Sequence, residues 1–250
     1  MEENFWFRNL RRASTKDNIL VLFHYAGGSS SVFKDWDKDI ISEFDIYSIQ
    51  LPGRENRFSE KLINNMEELV TNIAGNFNFF DKRIVCFGHS LGALVAYEVI
   101  KKLEHNNLFN FRHLIVSASR APHIKIHRNT IYNLPDEILF NTILKFGGIP
   151  EELLSEKQML MEVLLPILRA DFKISDLHIC DTNKKISTQI TAFGGQEDDT
   201  FPEEHLLKWK DKTEKFEYKL FEGGHFYINE SYKNLIKAIN NILVSTLNEK

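Results

Sequence analysis

The chain has 250 residues, with 31 Lys and Arg against 35 Asp and Glu, a net charge of −4. The two signs are interspersed rather than gathered into a basic face, which argues against duplex nucleic acid as a partner. At 43% hydrophobic and 26% charged residues, the composition excludes a disordered chain and supplies enough apolar surface for a sizeable core.

In chain order, residues 1–17 alternate aromatic and basic side chains without the apolar stretch a signal peptide needs. The two cysteines, Cys86 and Cys180, are too few for a disulfide framework and lack the paired spacing of a zinc site. No run approaches the ~18 apolar residues of a membrane span, so the expectation is a cytoplasmic protein with neither membrane nor nucleic acid as partner. Ile19 to His24 is the first short, continuous apolar run, the pattern of a strand covered on both faces. Asp45 to Leu51, Ile84 to Phe87, Leu114 to Ser117 and Ile190 to Phe193 repeat it, and Tyr218 to Phe221 is a weaker sixth. Between them, residues 66–77, 91–104, 203–212 and 232–247 space apolar residues by three and four, which predicts helices. Alternation of this kind predicts an α/β fold, a mostly parallel sheet flanked by helices, in a single domain over residues 1–250. One segment breaks the rhythm. Pro135 to Asp181 carries helical patterns interrupted by Gly147-Gly148-Ile149-Pro150 with no strand between them. Such an insertion would project from the carboxyl edge of the sheet, where open α/β folds bind ligands.

Gly88-His89-Ser90-Leu91-Gly92 is a G-x-S-x-G element with an apolar run directly before it and a helical pattern directly after. Strand before and helix after make it a candidate nucleophile turn, with the Ser90 hydroxyl raised above the sheet at a helix N-terminus. A serine hydroxyl needs a base to take its proton and a carboxylate to orient that base. In this architecture the acid follows the serine and the histidine follows the acid. Asp198, just past the strand-like run ending at Phe193, is the candidate acid, with Glu197 and Asp199 as competitors. His225 follows two glycines after the last strand-like run and is the best base among nine histidines. His89 is expected to pack beside the nucleophile and His24 to shape the neighbouring loop. The small residues of His24-Tyr25-Ala26-Gly27-Gly28-Ser29 suit an oxyanion hole, whose second donor would be the N–H of Leu91.

With these elements on the page, the sequence resembles the type II thioesterases that accompany nonribosomal peptide and polyketide synthases. The likeness rests on FWFRNLRR, AGGSSSVFKDW, LPGRENRF, GHSLGALVAYEV and the final GGH, in that order, and on a helical lid like NLPDEILFNTILKFGGIPEEL and LLPILRADFKISD over about 135–181. It implies an α/β-hydrolase fold, Ser90 as nucleophile, His225 as base, Asp198 as the third member, and Ala26 and Leu91 amides at the oxyanion. One departure is visible: the family more often has Pro where this chain has His24. The family's substrate is an acyl or aminoacyl group on the phosphopantetheine arm of a carrier protein, so the expected partner is an acyl or peptidyl carrier domain, with no separate cofactor or metal. Arg54 and Arg120 are candidates for carrier docking, and a monomer is expected. A general carboxylesterase, an acyl-CoA or fatty-acyl thioesterase, and a non-catalytic carrier-binding protein are the alternatives.

Overall fold

The structure, a computed structural model, describes residues 5–13, 17–106, 108–125, 130–147, 155–181 and 184–248. Seven strands, β1 (Phe7–Arg11), β2 (Asn18–Phe23), β3 (Phe44–Ile49), β4 (Arg83–His89), β5 (Asn110–Ser117), β6 (Gln189–Gly195) and β7 (Phe216–Phe221), form one sheet in the order β1-β3-β2-β4-β5-β6-β7. β2 through β7 pair in parallel and occupy the six runs expected from the sequence. The helices are α1 (Met66–Gly75), α2 (Leu91–Leu103), α3 (Asp136–Lys145), α4 (Lys157–Leu177), α5 (Glu203–Leu207), α6 (Tyr227–Glu230) and α7 (Tyr232–Asn248).

The continuous apolar runs exist because both faces of the sheet are covered. Ile19, Val21 and Phe23 of β2 and Ile84 and Cys86 of β4 point into one core, with α1 and α2. Their neighbours Leu20, Leu22, Val85 and Phe87 point into the other, with Trp36 and α7. Local chemistry also sets helix ends: the Asn65 side chain accepts the Glu68 N–H at 2.8 Å and donates to the Glu68 carboxylate at 2.7 Å, a reciprocal cap that starts α1.

Two elements differ from the sequence reading. β1 was not expected; it joins the sheet edge antiparallel to β3, Phe7 opposite Ile49. What holds it is tertiary. Phe7 packs edge-on against Phe77 and Phe79, and the Arg11 guanidinium donates to the carbonyls of Asp37 and Ile40 at 2.6 and 2.7 Å. The helix expected over 203–212 is α-helical only to Leu207 and continues as a 3-10 turn over Lys208–Lys212. The tighter turn sends both Trp209 and Lys212 inward; the Trp209 indole donates to the Ser119 carbonyl at 2.9 Å and the Lys212 ammonium to that of Asp181 at 2.6 Å.

The insertion between β5 and β6 folds as α3 and α4 around an apolar cluster of its own, including Leu139, Phe140, Ile143, Leu165 and Leu168. The interrupting Gly148-Ile149-Pro150 lies outside the described residues. Arg169 of α4 fastens the segment ahead of α3, donating to the carbonyls of Tyr132 and Leu134 at 2.6 and 2.7 Å.

Candidate active site

β4 ends at His89 and α2 begins at Leu91, so the chain reverses at the single residue Ser90, which holds φ 55° and ψ −116°. The flanking glycines are a steric requirement of that reversal. A Cβ at Gly88 would lie 2.4 Å from the Gly92 carbonyl oxygen, and one at Gly92 would lie 2.2 Å from that of Phe23. The Ser90 N–H donates to the Ser117 carbonyl of β5 at 2.8 Å, which anchors the turn to the next strand.

The loops after β6 and β7 are cross-tied, Gln196 N–H to the Phe221 carbonyl at 2.8 Å and Glu197 N–H to that of Gly223 at 3.0 Å. Gly195 lets them approach, since a Cβ there would fall 2.3 Å from the Gly224 carbonyl oxygen. The ties bring Asp198 against His225. His225 Nδ1 lies 2.8 Å from Asp198 Oδ2, and its Nε2 lies 3.2 Å from Ser90 Oγ. The other Asp198 oxygen accepts the N–H groups of Thr200 and Phe201 at 2.8 and 3.2 Å. Burial pushes the Asp198 carboxyl upward, but the hydrogen bond from His225, its charge and the two amides outweigh this and hold it below the usual carboxylate range. An ionised Asp198 accepts a hydrogen bond from Nδ1–H, leaving Nε2 as the acceptor facing Ser90. Glu197 and Asp199 are exposed and outside this chain of hydrogen bonds, so of the three acids only Asp198 is brought to the imidazole.

The other two histidines near the site are held neutral. His89 is fully buried between Tyr25, Phe226 and Tyr227 and contacts the Ser117 hydroxyl at 2.8 Å; burial lowers its pKa well below the ordinary value. His24 is buried, its Nδ1 donating to the Tyr25 carbonyl at 2.9 Å. Burial, then the nearby Arg54 charge, lower His24 to about 4.

A cavity of about 230 Å³ opens above Ser90 and His225. Ala26 and Leu91 line its floor, and Ile143 of α3 and Phe146 just after it, together with Leu164, Leu168 and Phe172 of α4, line its roof. The Gly27 N–H is committed to Asp171 at 2.8 Å and the Gly28 N–H to the Tyr25 carbonyl at 3.0 Å. Among the described residues, no group of three or more His, Cys, Asp or Glu side chains is arranged to hold a metal ion.

Arg54 and Arg120 do not lie on a docking surface. Arg54 is buried in a two-pronged ion pair with Asp171, at 2.8 and 2.9 Å. Arg120 is buried beneath the end of α4, donating to the carbonyls of Ser175 and His178 at 2.9 and 3.0 Å, as cations do at helix C-termini. Both charges anchor the insertion from below. Sequence reasoning also passed over Asp171. The signal was present: Leu165, Leu168, Asp171 and Ile174 follow one another at helical spacing, which puts a carboxylate on the buried stripe of α4.

A mostly parallel sheet with a serine at a strained strand-to-helix turn, an acid after β6 and a histidine after β7 defines an α/β-hydrolase. Within that class, residues 18–243 match the thioesterase domain family, and the chain belongs to it. It is 33% identical over 236 residues to the gramicidin S biosynthesis protein GrsT of Aneurinibacillus migulanus, covering 94% of this chain and 92% of that one. It is 31% identical over 238 residues to the medium-chain S-acyl fatty acid synthase thioesterase of Homo sapiens, covering 91% and 86%. The solved structure of the type II thioesterase BorB from the borrelidin biosynthetic cluster superposes with a TM-score of 0.88 at 25% identity, over 97% of this chain and 99% of that one.

Proposed function

We propose that this thioesterase is a type II, editing enzyme that releases acyl or aminoacyl groups from the phosphopantetheine arm of carrier proteins in nonribosomal peptide or polyketide synthesis. The observation that carries the reading is the unbroken Ser90, His225 and Asp198 chain of hydrogen bonds opening into an apolar cavity roofed by α3 and α4. The biosynthetic roles in the names of GrsT and BorB support the choice of substrate.

Ser90 Oγ attacks the thioester carbonyl carbon as its proton passes to His225 Nε2. Asp198 holds the imidazole in the tautomer that can accept that proton and stabilises the imidazolium. The oxygen that becomes negative lies between the N–H of Leu91, at the start of α2, and that of Ala26; engagement of the Gly27 and Gly28 amides elsewhere supports Ala26 as the loop's donor. Collapse of the tetrahedral intermediate breaks the C–S bond, and His225 returns its proton to the leaving thiolate. Water then attacks the Ser90 ester, gives its proton to His225, and the carboxylic acid departs as Ser90 is reprotonated. The chain's own residues supply every proton transfer in this scheme, and the carrier domain is the partner that presents the arm.

Intact-mass measurement of acetyl-loaded and aminoacyl-loaded carrier proteins tests the reading, with wild type beside Ser90→Ala. Loss of the acyl mass with wild type alone is the expected result. Unchanged carriers beside rapid cleavage of acyl-CoA would overturn the carrier assignment in favour of a free-thioester substrate, the reading favoured by the fatty acid synthase relative.

A further inference from the structure

We infer that Asp171, on the insertion helix α4, is a positioning residue: its carboxylate, together with Arg54, sets the loop that supplies the Ala26 oxyanion donor. The inference rests on the proposed role of the Ala26 amide.

The geometry is a clamp on successive groups of one loop. Asp171 Oδ2 accepts the Gly27 N–H at 2.8 Å and one Arg54 nitrogen at 2.8 Å, and Oδ1 accepts the other at 2.9 Å. The Arg54 nitrogen bound to Oδ2 also donates to the Gly28 carbonyl at 3.0 Å. One step further, Gln50 Oε1 accepts the Ser30 N–H at 2.9 Å while its amide nitrogen donates to the Arg54 carbonyl at 3.0 Å. Gly27, Gly28 and Ser30 are thus each held, and the network runs from β3 through Arg54 to α4. From above, Leu168, one turn before Asp171, fills the space over Gly27; a Cβ there would fall 2.6 Å from its Cδ2.

A buried ion pair is weak evidence of stability, because desolvating two charges cancels much of their attraction. Asp171 and Arg54 are both buried, so orientation is the better account of the pair. An oxyanion donor works only within about 0.5 Å of its correct place, and the Ala26 amide is one peptide away from the group that Asp171 grips. The two segments LPGRENRF and LRADF are therefore complementary halves of one contact. α4 is both the roof of the acyl cavity and the anchor of the loop beneath it, so a displacement of α4 that widens the cavity also frees the Gly27 amide.

The test uses Asp171→Asn, close in shape to the native residue, and the double variant Arg54→Met with Asp171→Leu, which leaves no buried charge unpaired. Three readouts are taken: kcat/KM on an acyl N-acetylcysteamine thioester, affinity for the matching alkyl boronic acid, whose Ser90 adduct mimics the oxyanion, and amide exchange of residues 24–29 without ligand. The expected result is a parallel fall in kcat/KM and boronate affinity of at least ten-fold, up to the roughly 100-fold of an outright lost donor. Asp171→Asn should fall less than the double variant, because its side-chain oxygen can still accept the Gly27 N–H, and loop exchange should accelerate in both. A folded variant within two-fold of wild type, a loss seen only in thermal stability, or unchanged loop exchange would each overturn the inference. Wild type that cleaves this small thioester but spares loaded carriers defeats the carrier assignment and leaves the clamp standing. Wild type that cleaves neither defeats the oxyanion assignment and the clamp with it.

Discussion

Ser90 occupies a backbone region with positive φ that side chains other than glycine rarely enter, at a cost of about 1–3 kcal/mol. The strain points the hydroxyl at His225, so relieving it separates stability from activity. Ser90→Ala removes the hydroxyl and keeps the strain, whereas Ser90→Gly removes both. Both variants should lose turnover, and urea denaturation should show Ser90→Gly more stable than Ser90→Ala by about 1 kcal/mol; equal midpoints would contradict strain at this residue. Ser90 and His225 were legible because glycines mark the turns that present them. Asp198 was favoured from its place after the strand-like run, but Glu197 and Asp199 stayed in competition, since three adjacent acids on a loop look alike in sequence. The cross-ties from Gln196 and Glu197 to the β7 side decide it by aiming only Asp198 inward.

Among the elements, α2 and β2 meet backbone to backbone near the site through Gly92. Gly92→Ala would drive a methyl into the Phe23 backbone carbonyl, a group that cannot yield as a side-chain tip can. The expected loss is about 3 kcal/mol or more, with activity abolished because Ser90 and the Leu91 amide move with the helix. A thermal unfolding scan together with an esterase assay checks this; a variant with wild-type midpoint and rate would show that α2 is not held at this spacing. Strands β2 to β7 were readable from their apolar runs, β7 least so because this second edge strand exposes Glu217, Tyr218 and Lys219. β1 was not, because an edge strand with one buried residue in five carries no such pattern and owes its place to Phe77, Phe79 and the Arg11 contacts. The helices of the insertion were visible from their periodicity, but Arg54 and Arg120 read as surface charges until α4 was seen to cover them.

For the molecule as a whole, buried histidines govern the response to acid. Burial lowers His24 and His113 to about 4, and holds His89 well below the ordinary histidine value. An unfolded chain protonates these residues near 6.5 while the folded protein holds them neutral, so the unfolded state binds more protons between pH 6.5 and 4. Stability therefore falls as the pH is lowered through that window, by roughly 3 kcal/mol for each of His24 and His113. Asp198 adds a loss in the same direction at lower pH, since its depressed pKa stabilises the folded state above the unfolded carboxylate value and ceases to do so below its own. His113 hydrogen-bonds the Thr191 hydroxyl at 2.8 Å and takes no part in the Ser90, His225 and Asp198 hydrogen bonds, which makes it the residue to test. His113→Gln should flatten the pH dependence of the urea midpoint between 6.5 and 4 by about one proton; a curve superimposed on wild type would remove His113 from the account.

Periodicity, glycine placement and chain order of the candidate residues sufficed for the α/β fold class, the position of the insertion, and the turns that present Ser90 and His225. All three signals are local: a doubly covered strand, a strained turn and an amphipathic helix each impose their pattern on neighbouring residues. Only the tertiary structure decided which of three acids meets the imidazole, that the N-terminal segment completes the sheet, and that Arg54 and Asp171, 117 positions apart, face one another. Burial and pairing of charges depend on what covers them, and that is set by residues distant in the chain.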